Sequence, residues 1–295
     1  RVMGGDRIRV AHGCERPKGC SHVKVFGKPN VFAGWPFNCG FNQYGDGDEM
    51  VVGYTRHVCR AKKQRDGGVA YPVLDGEGSG ASRTTDGGRT WHEEAQGYPG
   101  RLSAGGMPIE EARGMGDVAA TPINPFCADH GLFCGADHVY TTLDRGRTWT
   151  GPSFLPNDGA GDYRNRPVYL VRPDGVLLTF PTVPNREGKE GRIFVYASYD
   201  GGAVWTLLSI MAQNPDYMNI MPTAVNLPSG RILASVRVQL TIGSAWTEMF
   251  DSSDGGMTWR FLGRLNDHGM PCQLARLADG RIAAVYGYRL SPYGV

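Results

Sequence analysis

Apolar residues in this chain come in short continuous runs, set in pairs across glycine-containing turns. Cys39 to Tyr44 and Met50 to Tyr54 flank Gly45-Asp46-Gly47, and Val168 to Val171 and Val176 to Phe180 flank Pro173-Asp174-Gly175. Ala224 to Leu227 and Ile232 to Val236 flank Pro228-Ser229-Gly230, and Gln273 to Leu277 and Ile282 to Tyr286 flank Ala278-Asp279-Gly280. A poorer copy runs through Ile123 and Phe126 to Leu132-Phe133. Runs of this length, bounded by turn residues and apolar on both faces, predict hairpins of strands covered on both sides. A further apolar run such as Ile193 to Ala197 then leads into a second kind of turn.

That second turn repeats four times: Thr84 to Trp91, Thr142 to Trp149, Ser198 to Trp205 and Ser252 to Trp259, with the shared pattern Ser/Thr-x-Asp-x-Gly-x-Thr/Val-Trp. Asp bonds nearby backbone N–H groups, Gly accepts a positive φ, and the Ser or Thr hydroxyl ties the two sides of the turn. The Trp opens the next strand with a large apolar surface. The aspartates Asp86, Asp144, Asp200 and Asp254 stand 54 to 58 positions apart. Two hairpins per period make four strands, the unit of a β-propeller blade.

The repeated turn resembles the Asp-box of the sialidase (neuraminidase) superfamily, also called the bacterial neuraminidase repeat, over roughly residues 30 to 290. The resemblance implies an all-β, six-bladed propeller of four-stranded blades, with the box as a structural turn between third and fourth strands, far from catalysis. The chain is read as one domain over residues 1–295, with 1–30 as an irregular segment whose strand near Arg7 to Ala11 closes the last blade. Two spacings depart from the repeat. Gly47 to Asp86 is about 14 residues longer than Gly175 to Asp200, an insertion in the first blade. The fifth blade lacks its box, so a five-bladed or incomplete propeller is the alternative.

Composition adds little to this and excludes more. Gly 43 and Pro 19 suit many short strands joined by turns. A net charge of +2 with no basic run gives nucleic acid no footprint. No apolar stretch approaches the ~20 residues of a membrane span. Arg1 opens the chain with neither an initiator Met nor a signal peptide, so a processed or trimmed N-terminus is expected. Seven cysteines leave at least one unpaired within the chain, with Cys14–Cys20 and Cys127–Cys134 as local disulfide candidates. They leave the compartment open, with a secreted or periplasmic location favoured, and oligomeric state is not legible. His130 and His138 lie near Cys127 and Cys134, but no metal-site spacing fits; no metal or cofactor is expected.

In a propeller the start of strand one and the end of strand two share a rim opposite the Asp-boxes. Arginine crowds that rim: Arg56, Arg237 and Arg289 end second strands, and Arg164 and Arg166 precede a first strand. Converging guanidinium groups repel unless an anion sits between them, and their fork suits a carboxylate. Asn38 and Tyr163 are candidate sugar contacts by position, and His57 and His268 candidate rim acid/base groups or contacts.

The resemblance implies an exo-α-sialidase-like glycoside hydrolase that cleaves a terminal acidic sugar. It would hold the carboxylate with Arg56, Arg166, Arg237 and Arg289, with Asp66 in the inserted loop as general acid and Tyr288 (or Tyr293) as nucleophile. The family's Phe/Tyr-Arg-Ile-Pro signature is replaced by Trp35-Pro36-Phe37-Asn38-Cys39-Gly40. Where its Glu stands, this chain has Asn219-Ile220-Met221-Pro222. A Tyr without a basic partner has a pKa near 10 and is a poor nucleophile at neutral pH. A glycan-binding propeller without catalysis is one alternative; a polysaccharide lyase acting on uronic acids, with His57 or a Tyr as base, is another.

Overall fold

A computed structural model describes residues 21–34, 36–61, 72–94, 99, 120–157, 162–164, 166–185, 187–241, 244–267 and 271–287. These form strands and turns, with one helical turn, α1 (Pro36–Cys39). They divide into two compact units, one holding 21–133 and 140–152, the other 134–139 and 153–287. The expected strand near Arg7 to Ala11 and the Cys14–Cys20 pair lie outside the described residues.

In the first unit, β1 (Val31–Gly34), β2 (Phe41–Tyr44), β3 (Glu49–Ala61), β4 (Pro72–Thr84) and β5 (His92–Glu93) form one sheet in which β3 pairs with β1, β2 and β4. The expected second strand was to stop near Tyr54. Instead β3 runs on to Ala61 and pairs with β4 as far as Pro72, so much of the insertion is hairpin. Gly53 lets α1 lie against β3: a Cβ there would stand 2.4 Å from the Cys39 carbonyl oxygen. A three-stranded sheet comes next in the chain, β6 (Gly131–Cys134), β7 (His138–Thr142) and β8 (Thr150–Phe154), with 131–133 and 140–152 counted in the first unit and 134–139 and 153–154 in the second. Tyr44, Val51, Ala81, Phe133 and Tyr140 form one buried cluster, with Trp149 packed against it.

The segment through Ile123 and Phe126 is turn rather than strand. Pro122 and Pro125 lack the N–H a ladder needs. The neighbouring N–H groups go elsewhere: Asn124 N–H to His130 Nδ1 at 2.9 Å, and Phe126 N–H to Asn124 Oδ1 at 3.1 Å. Cys127 and Cys134 are free thiols, which corrects the local disulfide; Cys134 is wholly buried and hydrogen-bonds Thr179.

The second unit holds a five-stranded sheet, β9 (Tyr169–Val171), β10 (Leu177–Thr179), β11 (Thr182–Pro184), β12 (Glu190–Ser198) and β13 (Thr206–Gln213). Beside it stands the four-stranded β14 (Met218–Asn226), β15 (Ile232–Thr241), β16 (Ser244–Ser252) and β17 (Arg260–Asn266), then the hairpin β18 (Cys272–Arg276) and β19 (Ile282–Tyr286). The uninterrupted apolar run of β15 is explained here. Ile232, Ala234, Val236 and Val238 enter the core shared with Leu178, Ile193 and Val195, while Leu233 enters another with Cys272 and Leu274. Alternate residues thus serve the sheets on either side, so both faces are apolar.

Among the described residues the blades number four, not the six implied by the resemblance. Four sheets carry the repeated turn, and the β18–β19 hairpin supplies only two strands. In each repeat the Ser or Thr oxygen accepts the N–H of the Gly two places after the Asp and donates to the Asp, as Thr84 does to Asp86 at 2.7 Å and Ser252 to Asp254 at 2.8 Å. Trp91, Trp205 and Trp259 donate their indole N–H back to the turn, at 3.0 to 3.1 Å.

Candidate functional site

In the first unit the expected rim residues have partners within the chain. Arg56 lies in the middle of β3, opposite Ala33 and Gly78, because the strand continues past it. Its Nη1 donates to Glu93 Oε1 at 2.5 Å, and Lys28 holds the other oxygen. The hydrogen bond and charge of Lys28, with the charge of Arg56, hold the Glu93 carboxyl below the usual range. His57 is half-buried opposite Phe32, ring centroids 6.3 Å apart, and Asn38 is exposed on α1.

Arginines do converge on a carboxylate here, but it is the buried Glu49 at the head of β3. Arg83 Nη1 lies 2.6 Å from Oε1, Arg147 Nη2 2.8 Å from Oε1, and Arg145 Nη1 3.0 Å from Oε2. Glu94 and Asp129 complete the network on Arg83 and Arg145. Burial opposes the charge, yet the bonds from Arg145 and Arg83 and the charge of Arg147 win, and the carboxyl stays below its usual range. Nothing local in the sequence marks Glu49, because its partners sit 34, 96 and 98 positions away.

In the second unit, Arg166 reaches Glu190 Oε1 at 3.4 Å. Thr182 Oγ1 stands 2.6 Å from both Glu190 Oε2 and the Arg164 carbonyl oxygen, while the Arg164 backbone bridges Thr182. Glu190, at the head of β12 after Gly188-Lys189, is thereby gripped from two sides. Glu190 is not among the residues expected from sequence; its one local signal is a carboxylate opening a third strand. Tyr163 is buried, its Oη 2.6 Å from the Pro156 carbonyl and 2.6 Å from Tyr196 Oη, so its hydroxyl braces the fold.

Arg237 sits where β15 nears its far end, opposite Ile220 and Thr247, and is only 8% exposed. The repeated turn at Asp254 follows Ser252, which pairs with Ile232 at the other end of the same strand. The spatial separation of arginine and repeat expected from sequence holds within this sheet. Arg237 Nη1 points at Met221 Sδ, 3.9 Å away. Met221 itself has a φ of 54°, within a bulge of β14. Trp246 pairs with Val238 and so stands on the opposite face of this sheet, where Tyr217 packs edge-on to it at 5.6 Å and the Arg264 guanidinium stacks on it at 4.1 Å. Asp66, His268, Tyr288, Arg289 and Tyr293 lie outside the described residues. Among those described, no three His, Cys, Asp or Glu side chains gather as a metal site, and no helix is long and apolar enough to cross a membrane.

No protein-family model matches the chain, and no curated protein matches it in sequence. Solved structures do. A protein of unknown function from Dyadobacter fermentans superposes with a TM-score of 0.63 at 17% identity, over 92% of this chain and 79% of that one. The Hadza microbial sialidase gives 0.52 at 13% identity, over 84% of this chain and 52% of its own length. The alpha-L-arabinanase of Penicillium chrysogenum, solved with arabinobiose, gives 0.50 at 14% identity, over 84% and 74%. The likeness is one of fold: that of β-propeller glycoside hydrolases, among them sialidases and arabinanases. The chain spans about half the length of that sialidase.

Proposed function

We propose that this chain is a glycoside-hydrolase-type propeller that takes a terminal acidic sugar and holds its carboxylate with Arg237. One observation carries the reading: a guanidinium only 8% exposed, set in a strand of a blade at the end away from the repeated turn. A cation kept that far from water favours an anion, and a guanidinium fork meets a carboxylate with two parallel hydrogen bonds. Charged hydrogen bonds of this kind contribute about 1.5–3 kcal/mol. Arg166, steered by Glu190, is a second cation for the same sugar. Following the resemblance, Asp66 is assigned as general acid and Tyr288 as nucleophile, with His57, His268 and Arg289 as supporting groups.

The second reading is a propeller that binds such sugars without cleaving them. It is favoured by Met221, a thioether facing Arg237 where the resemblance implies a glutamate. One assay separates the two: a fluorogenic sialoside given to wild type, Arg237→Ala and Asp66→Ala, with an arabino-oligosaccharide as neutral control. Release by wild type, lost in both variants, supports the hydrolase. Sialic acid binding that depends on Arg237, with no release, supports the binder. No binding and no release of any acidic sugar sinks both.

A further inference from the structure

We infer that Met221 is a positioning residue that fixes the Arg237 guanidinium for a sugar carboxylate. The inference rests on the reading that Arg237 holds that carboxylate. It starts from the register of β14 against β15. Ile220 pairs with Arg237 and Thr223 with Ser235, so β14 spends one more residue than β15 over the same stretch. Cross-strand partners share a face, and the extra residue is what keeps Ile220 and Thr223 both on the face of Arg237 and Ser235. Thr223 needs that face, because its hydroxyl meets Ser235 Oγ at 2.9 Å and the Cys272 carbonyl at 2.9 Å.

Met221 makes the correction by adopting a φ of 54°, the left-handed region that glycine occupies without strain. The chain thus places a long side chain where the backbone favours none. Strain of this sort persists when the side chain is used. Here the thioether lies 3.9 Å from Arg237 Nη1. A sulfur is a weak acceptor, so its body matters more than its lone pairs. It walls one side of the guanidinium, keeping the fork in one orientation. Pro222, buried and next in the chain, locks the bulge from the other side.

The test uses Met221→Gly, which relieves the backbone and removes the wall, and Met221→Leu, which keeps a wall of similar size. Two readouts are taken: the Nε–H signal of Arg237 in 15N-arginine NMR, assigned with Arg237→Lys, and titration with N-acetylneuraminic acid and glucuronic acid. We expect a sharp Arg237 signal in wild type and Met221→Leu, broadened in Met221→Gly. The acid that binds wild type should bind Met221→Gly roughly tenfold or more weakly, and Met221→Leu within about twofold. An Arg237 signal unchanged in Met221→Gly overturns the inference, whatever the sugars do. Loss of that signal, with neither sugar binding wild type, leaves the positioning role standing and removes the carboxylate reading instead.

Discussion

At the scale of single residues the repeated turn is a small hydrogen-bond device, and its four copies differ instructively. Thr90, Thr148 and Thr258 each donate a hydroxyl to the second oxygen of their Asp, at 2.7, 2.6 and 2.5 Å. The third copy has Val204, which bonds Asp200 through its backbone and is 61% exposed. Val204→Thr should therefore add the missing bond without emptying any core. The expected gain is about 0.5–1.5 kcal/mol, a rise in Tm of a few degrees. An unchanged or lowered Tm would show that the third turn does not share the geometry of the others. The same bonds set an acid limit. In Asp254 partial burial works to raise the pKa, but the Thr258 side-chain and backbone bonds outweigh it and hold the carboxyl down at about 2. Its folded pKa lies below the unfolded value near 3.9, so the stability it contributes is full above that value and drains away as pH falls toward 2. Thermal melts stepped from pH 6 to pH 2 should decline below about pH 4, and Thr258→Val should flatten that decline.

At the scale of elements, the Glu49 network ties the head of β3 to β4 and to the turn after β7. Glu49 is 7% exposed at its side chain and Arg83 10%, whereas Arg147 is 53% exposed. Removing the shared carboxylate strands buried positive charge, and Glu49→Gln should cost about 3–5 kcal/mol. Arg147→Ala, losing an exposed partner, should cost about 0–1 kcal/mol. Urea denaturation of both separates them; equal costs would mean that the network is not organised around Glu49. Because its carboxyl is held below the ordinary value of 4.5, Glu49 adds to the stability lost on acidification below about pH 4.5. This network shows where sequence reading ends. The arginines of the chain were easily gathered into a rim by strand position. Which carboxylate each one meets depends on register across 34 to 98 residues, and Arg56 finds Glu93 37 positions away. Periodicity carries no such information.

At the scale of the whole chain, the features legible in the sequence were those written locally. The turn chemistry of Asp86, Asp144, Asp200 and Asp254, and the apolar run of Ile232 to Val236, needed no distant partner to interpret. The count of six came from the resemblance, whereas the residues gave five hairpins, the last without its box; among the described residues four sheets carry the repeated turn and that last hairpin stands alone. Cys127 and Cys134 were paired by spacing alone, which cannot sense that Cys134 faces inward. The burial that defeats that disulfide also yields a probe of how the second unit unfolds. Cys134 and Cys272 both belong to it, at 0% and 1% exposure, and burial pushes their thiols up to about 12 and about 11. A thiol that is neither reachable nor ionised is inert. Native labelling with iodoacetamide at pH 8 should leave both unmodified, while Cys39 and Cys127, only half-buried, react before them. In rising urea Cys134 and Cys272 should become reactive at one midpoint if the blades of this unit melt together, since Cys134 bonds Thr179 of β10 and shared cores tie that sheet to β14–β17 and on to β18–β19. Two separate midpoints, read by peptide mapping, would show that the β18–β19 hairpin opens on its own.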